Sequence, residues 1–178
     1  LFGSYSDTWN HLIEFVLVDY ISTSIFLVIG VSLGVLIIGV LTAYLVTNYN
    51  FFGKRFFEWA LILPLAIPPY ILAYTFTGLF DANGDANVFV RFLFNLENSF
   101  VLFPSVRNIT GAIIVFSFTL YPYVYLVTRS AFLNQSNSIK ESGRLLGLGQ
   151  LGIFSKISLP LARPAFIAGL MLVIMETL

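Results

Sequence analysis

The amino-acid sequence predicts an all-α, polytopic membrane protein, and three observations support this prediction. Of the 178 residues, 58% are hydrophobic and only 10% are charged, whereas soluble domains carry about 25% charged residues. The charges are clustered, so that residues 20–53, 59–80 and 108–128 contain none. Each of these runs is long enough for a membrane-spanning helix, which needs about 20 apolar residues. The basic residues also fall in alternate connections, as expected for a chain that crosses the bilayer several times.

The composition excludes several classes of function. The chain has no cysteine and a single histidine, His11, which rules out disulfides, thiolate zinc sites and histidine metal cages. A formal net charge of zero argues against a nucleic-acid binder, which needs a basic surface. An intramembrane enzyme would need a catalytic pair at membrane depth, and Glu176 is the one carboxylate expected there. We therefore expect no catalytic residue and assign no metal site.

The distribution of charge predicts the topology. Residues 1–19 carry three acidic and no basic side chains, and we interpret them as an external segment. Seven of the nine basic residues lie in the connections 47–58 and 129–164. Short loops rich in Lys and Arg remain in the cytoplasm. The first membrane helix, predicted over 20–46, therefore runs from the outside to the inside.

The first helix contains Gly30 and Gly34 in GxxxG spacing, which predicts a close approach by another helix. The second, predicted over 58–80, contains three prolines in LPLAIPPY, two of which are Pro68 and Pro69. Prolines remove backbone donors and bend or interrupt a helix. Two interpretations remain open, a kinked structural helix and a broken helix that lines a solute path.

The outer connection, residues 81–109, begins with turn-forming residues and continues through the aromatic stretch VFVRFLFNL. We predict a short interfacial helix on the outer membrane surface. A calcium loop is rejected, because Ala86 and Phe92 occupy the positions where an EF-hand requires Gly and Glu.

The third helix is predicted over 110–132, and residues 165–178 are predicted to start a further membrane helix. Tyr121 and Tyr125 are four residues apart and share a helix face, so their hydroxyls either enter a polar interior or belong to an interfacial belt. Glu176 lies within the apolar C-terminal run, where an ionisable side chain faces a cavity or the bundle interior. Together with Pro68 and Pro69, these residues form the candidate translocation path.

Residues 136–160 form the most informative loop of the sequence. Ser138 and Glu141 match the capping-box pattern S-x-x-E, which predicts that a helix starts there. Gly147 and Gly149 predict its end, and a second short helical stretch is expected over 150–157, before Pro160. The apolar side of the first helix consists of Leu145, Leu146 and Leu148. A helix this short is marginal alone, so its apolar side should pack on the membrane or on a partner.

This loop resembles the EAA motif of binding-protein-dependent ABC importer permeases, which reads Glu-Ala-Ala, three residues, Gly, nine residues, Ile-x-Leu-Pro. The matching residues are Glu141, Ser142, Gly143, Gly147, Ile157, Leu159 and Pro160. Both spacings are kept, and two small residues replace the two alanines.

The resemblance implies part of a type I ABC importer permease fold in a bacterial inner membrane, with the loop as the coupling helix that docks on an ABC ATP-binding subunit. ATP and Mg would then be bound by that partner and not by this chain. The other partners implied are a periplasmic solute-binding protein, a second permease half, fused or separate, and the membrane lipid.

Within the family, LPLAIPPYILAY, LYPYVYLVTRSAF and METL resemble the ferric iron permeases. Glu176 together with Tyr121 or Tyr125 would then offer hard oxygen ligands to a ferric ion in transit. The alternatives are another solute, such as thiamine, phosphonate or sulfate, on the same architecture, or a secondary transporter or channel. Since the chain begins with Leu1 and lacks a signal peptide, we expect it to be a fragment of one half of such a permease.

Overall fold

The computed structural model describes residues 17–81, 83–95 and 106–178, and its regular structure there is helical. The prediction of an all-α membrane bundle is confirmed. The helices are α1 (Val18–Asn48), α2 (Lys54–Ala60), α3 (Pro69–Leu79), α4 (Asp85–Phe94), α5 (Ile109–Leu133), α6 (Asn137–Leu145), α7 (Gln150–Ile153) and α8 (Leu159–Thr177). A 3-10 turn, Leu63–Ala66, precedes α3, and a π-helix, Phe154–Ser158, joins α7 to α8.

Helices α1 and α5 form the centre of the bundle and run parallel. Pairs of contacting residues advance together along the two helices, from Gly30 with Ile113, through Gly39 with Val124, to the rings of Tyr44 and Phe132. The absence of a side chain at Gly30 and Gly39 lets α5 approach the backbone of α1. Their bounds extend the predicted 20–46 and 110–132 by one or two residues at each end.

Helix α8 packs antiparallel to α5. Gly169 lies against the backbone of Val124, and the Gln135 amide donates to the Ser158 carbonyl at 2.9 Å. The predicted start of this membrane helix at residue 165 is wrong, since Gln150–Thr177 is long and apolar enough to be one 28-residue span.

The expected stop before Pro160 is also wrong, and the π-helix gives the physical reason. A proline has no amide to bond to the carbonyl one turn earlier, and its ring crowds that carbonyl. Widening the helix over the residues that precede Pro160 relieves this crowding without breaking the helix.

The segment predicted as one helix over 58–80 is broken. Lys54–Ala66 and Pro69–Leu79 meet at 98°, with Pro68 in extended backbone at the break and Pro69 at the start of α3. We call the end of the bundle at Asn48, which is predicted to face the cytoplasm, the inner end, and the opposite end the outer end. Since α1 and α5 are parallel, the chain between them returns from the inner to the outer end. An ion pair of 3.2 Å between Asp81 and Arg107 joins the end of this return to the start of α5. The segment is therefore a broken span, and not a kinked continuous helix.

Helix α4 follows in the outer connection. Its apolar side chains Val88, Phe89, Phe92 and Leu93 are exposed. This exposed apolar face suits the predicted location at the outer membrane surface. Residues 96–105 of the outer connection, and residues 1–16 of the predicted external segment, lie outside the described residues.

Candidate functional site

The loop between α5 and α8 begins with a serine cap, but not with the predicted one. Ser136 is the N-cap of α6, and its hydroxyl oxygen accepts the backbone N–H of Ser138 at 3.2 Å. Ser138 already lies in the first turn, and Glu141 is an exposed residue of the helix body. The predicted capping box is therefore wrong, because two serines two positions apart both fit the pattern and the backbone selects the earlier one.

The end of α6 agrees with the glycine prediction at Gly147. Its φ of 80° lies in the left-handed region that glycine adopts without strain. The following amide, of Leu148, donates to the Gly143 carbonyl at 3.0 Å and closes the helix end. Gly147 therefore shapes the loop by reversing the chain after α6.

Gly143 and Ile157 are in contact. Both residues belong to the EAA-like motif, in which they are far apart along the chain. Gly143 is buried, and a Cβ at this position would lie 2.6 Å from the Ile157 Cδ1 atom. A small residue therefore lets α6 lie directly on the π-helix. Leu159 and Pro160 are half-buried at the base of α8, where Leu159 packs on the hydrophobic core. These residues hold the loop to the bundle, whereas Glu141 and Ser142 are exposed.

The loop is also joined to the inner end of α1. The Lys140 ammonium donates to Asn48 Oδ1 at 2.7 Å, and the Tyr49 hydroxyl donates to Gln150 Oε1 at 3.3 Å. The rings of Tyr44 and Phe154 are 4.4 Å apart between centroids. Burial lowers the pKa of Lys140 from its usual value. With contacts to both α1 and α8, the loop is held in one orientation relative to the membrane helices.

Three leucines project from this loop into solvent. Leu145, Leu146 and Leu151 are 89%, 83% and 84% exposed, and we call them the leucine patch. The sequence identified two of them on the apolar side of α6 but grouped them with Leu148, which is half-buried and packs near Gly143 and Gly152. The signal for Leu151 in the sequence was an apolar residue in a polar loop. The sequence pattern alone does not show whether such a residue is exposed or buried.

The candidate path residues do not form one group. Tyr121 and Tyr125 are buried in the core between α5 and its neighbours, and the Tyr125 hydroxyl has no hydrogen-bond partner. An interfacial tyrosine belt is thereby contradicted. Glu176 is instead exposed on α8. Pro68 and Pro69 lie at the break of the second span, whose helices have no buried residue.

Glu176 is exposed within the length of the bundle. It is seven residues beyond Gly169 toward the outer end of α8, a distance of about 10 Å. The next residues reach Leu178, which lines an apolar cavity with Ser24 and Val28 of α1. A carboxylate at such depth costs about 3 kcal/mol in lipid, so its exposed face should meet a polar cavity or another protein. Within the described residues, no three acidic or histidine side chains come together as a metal site.

An ion pair that the sequence analysis missed joins the broken span to α5. Arg129 Nη2 and Glu58 Oε2 are 3.3 Å apart, and the two side chains are 28% and 26% exposed. The Arg129 Nε atom is buried without a hydrogen-bond partner. The only signal in the sequence was that each residue borders an uncharged run.

Replacing Glu58 with Gln is expected to destabilise the protein by about 1 to 3 kcal/mol, between the values for exposed and buried ion pairs. The change leaves the Arg129 guanidinium half-buried without a counter-charge. Thermal unfolding in detergent, measured for Glu58→Gln, Arg129→Gln and the double variant, tests this. The double variant should be more stable than the sum of the single effects predicts, and additive effects would contradict a direct pair.

The chain is similar to several known transport proteins. A family model described as "Binding-protein-dependent transport system inner membrane component" matches residues 35–178. The molybdenum transport system permease protein ModB of Haemophilus influenzae is 25% identical over 155 residues, covering 87% of this chain and 65% of that protein. The sulfate transport system permease protein CysT of Salmonella typhimurium is 27% identical over 136 residues, covering 76% of this chain and 46% of that protein.

A third relative is the Fe(3+)-transport system permease protein FbpB 2 of Haemophilus influenzae. It is 25% identical over 160 residues, covering 90% of this chain and 27% of that protein. The chain thus spans at most 65% of the length of these three relatives. All three are named as transport permeases, and their names give three different solutes.

Proposed function

Since this chain belongs to the family of binding-protein-dependent transport system inner membrane components, we propose that it is a membrane-spanning subunit of an ATP-driven ABC importer. It is a multi-pass inner membrane protein. The observation that carries the proposal is the leucine patch, an exposed apolar surface on a short loop that is held rigidly to two membrane helices. Such a surface suits a docking partner.

The partner proposed for this surface is an ABC ATP-binding subunit, which would bind ATP and Mg and hydrolyse the nucleotide. Glu141 and Ser142 are exposed beside the leucines and would add polar contacts at the rim. The other residues of the motif would act indirectly, by holding α6 in position. They are Gly143, Gly147, Ile157, Leu159 and Pro160.

The geometry supports a rigid-body mechanism. The loop contacts α1 through Lys140 and Tyr49, and Gln135 joins its two ends through the Ser158 carbonyl. A movement of the docked subunit would therefore be passed to α1, α5 and α8 together. In an importer this movement would change the side to which the cavity between two permease halves opens.

Crosslinking tests the docking proposal directly. Because the chain has no cysteine, Ser142→Cys or Leu146→Cys creates a single reactive thiol on the exposed side of the loop. With the ATP-binding subunit present in membranes, both variants should form crosslinks to it. Leu33→Cys, which is 57% exposed on the side of α1 within the bilayer, serves as the control and should not. A loop that forms no such crosslink, or that reacts with reagents confined to the outside, would contradict the proposal.

The solute that we propose is ferric iron, delivered by a periplasmic solute-binding protein. The exposed carboxylate of Glu176 supports a cation over an oxyanion, because a negative charge attracts one and repels the other. Tyr121 and Tyr125 are buried in this chain, so the carboxylate would act without them. Thiamine, phosphonate and sulfate remain the alternative solutes, and uptake assays with purified binding proteins distinguish them.

We further propose that a second permease half, fused or separate, covers the broken span. Tyr70 and Tyr74 of α3 are 73% and 83% exposed, and neither α2 nor α3 buries a residue within this chain. A second half packed here would place the break at Pro68 and Pro69 beside a shared path.

Replacing Glu176 with Gln is expected to lower ferric uptake at least tenfold at matched protein level, because the charge that contacts the cation is lost while the shape is kept. Met175→Leu, a change at the neighbouring position, which is also exposed, is the control and should leave uptake unchanged. Uptake of radioactive iron into cells provides the measurement. Normal transport by Glu176→Gln would remove the support for a cation contact.

A further inference from the structure

A polar cavity of about 400 Å³ lies beneath α6, between that helix and the inner ends of α1 and α5. Its polar lining consists of Thr47, Asn48, Gln135, Asn137, Lys140 and Arg144. A single carboxylate, that of Glu141, also borders it. The volume accommodates a phosphate group with several atoms attached.

The charge of the lining favours an anion. Lys140 and Arg144 are four residues apart on α6, so both side chains lie on the face that borders the cavity. With Glu141 the lining carries one net positive charge. Burial lowers the pKa of Lys140, and repulsion by the nearby Arg144 lowers it further. An anion between them would offset this repulsion.

The exposed amide of the lining suits a ligand that both accepts and donates hydrogen bonds. Asn137 borders the cavity, and its side-chain amide carries both donors and an acceptor. Phosphate groups that carry or adjoin a hydroxyl supply both kinds of partner.

The position of the cavity agrees with this chemistry. It lies at the end of the bundle where the basic connections place the cytoplasmic membrane surface. Phe132 and Leu133 form its apolar side, and Leu133 is 56% exposed, so an acyl chain has a surface to lie on. Basic pockets between membrane helices at this surface bind anionic lipid headgroups.

We propose that this cavity binds a phosphate-class anion, supplied either by the headgroup of an anionic phospholipid or by free phosphate. The bound anion would lie between Lys140 and Arg144 on α6 and the inner end of α1. It would therefore help to hold the loop between α5 and α8 at its observed distance from the membrane helices.

The permease, purified with its partner subunits, tests the proposal by native mass spectrometry and by binding titration. The three probes are phosphatidylglycerol, phosphatidylcholine and inorganic phosphate, each supplied alone. The double variant Lys140→Gln with Arg144→Gln should bind the anionic probe about thirtyfold more weakly, at roughly fivefold for each cation near the membrane surface. Lys156→Gln removes an exposed charge from the same loop outside the cavity and is the matched control.

A variant with the opposite expected sign separates binding from misfolding. Glu141→Gln removes the only carboxylate of the lining and should tighten anion binding about fivefold. Lys140→Arg keeps the charge and should retain binding. Selective retention of phosphatidylglycerol would identify the lipid as the source, and retention of inorganic phosphate would identify the free anion.

Two results would overturn the proposal. The first is that neither anionic probe is retained above phosphatidylcholine. The second is that the double variant and the Lys156→Gln control bind equally.

Discussion

Valine in place of Gly169 is expected to destabilise the bundle by at least about 2 kcal/mol, near the upper part of the range for overpacked cores. A Cβ at this position would lie 2.9 Å from the Val124 Cα and 3.2 Å from the Tyr123 carbonyl oxygen. Both are backbone atoms of α5, so no rotation of a side chain can make room. Helix α8 would have to move away from α5 along much of its length.

Thermal unfolding of the purified protein in detergent provides the measurement for Gly169→Val. Gly78→Val is the matched control, because Gly78 also lies in a helix but has no atom within 4 Å of the added Cβ. Equal destabilisation by the two changes would show that helix propensity, and not the contact with α5, is responsible.

A second comparison separates backbone from side-chain contacts around the same residue. At Gly39 the added Cβ would meet the Val124 side chain, at 2.9 Å from its Cβ and 3.0 Å from its Cγ1. Val124→Ala removes the Cγ1 contact but keeps Val124 Cβ and the Tyr121 carbonyl oxygen, which is 3.1 Å away, so it should relieve part of the cost of Gly39→Ala. The same change should give little relief to Gly169→Val, which meets the backbone.

Serine in place of both Leu145 and Leu146 is expected to weaken docking of the ATP-binding subunit and to stop transport without unfolding the permease. Burying a leucine stabilises a contact by about 1.5 to 3 kcal/mol. Loss of both should weaken docking of the ATP-binding subunit about a hundredfold or more, since 1.4 kcal/mol corresponds to a factor of ten. The folded permease itself should keep its stability, because both side chains are more than 80% exposed.

Three measurements test this second prediction: retention of the ATP-binding subunit on the purified permease, solute uptake, and thermal unfolding of the permease alone. Phe52→Ser is the control, since Phe52 is a fully exposed apolar residue at the same end of the bundle but outside the loop. Normal uptake by the double leucine variant would contradict docking at the leucine patch. A loss of thermal stability would instead show that the leucines support the fold.

The all-α membrane fold and its location were predictable because they depend on the cost of charge in lipid. Residues 20–53 contain no charged side chain, and most of that run lies in the 31-residue helix Val18–Asn48. The basic residues of the loop between α5 and α8 predict its cytoplasmic location by the same reasoning, and that location stays a prediction. The docking role of its individual residues stays a prediction that crosslinking has to test.

The errors arose where a local rule had two valid answers. Ser136 and Ser138 both suit a helix cap, and the backbone path out of α5 selects Ser136. A proline commonly ends a helix, yet Pro160 lies inside a continuous helix because packing against α5 keeps that helix together and a π-helix absorbs the strain. At both positions the tertiary contacts outweighed the local conformational preference of the chain.

The partners of the site residues were beyond sequence reasoning for a different reason. Glu58 and Arg129 pair between segments that are far apart in the chain, and so do Lys140 and Asn48. Hydrophobic patterns show that a face is apolar, but they do not show which other face covers it.

By itself the sequence determined the helical class and the membrane location, because both follow from transferring single side chains between water and lipid. The tertiary structure alone decided the break at Pro68, the seating of Gly143 on Ile157, and which leucines remain exposed. These depend on the simultaneous packing of α1, α5 and α8, in which each helix fixes the surface available to the other two.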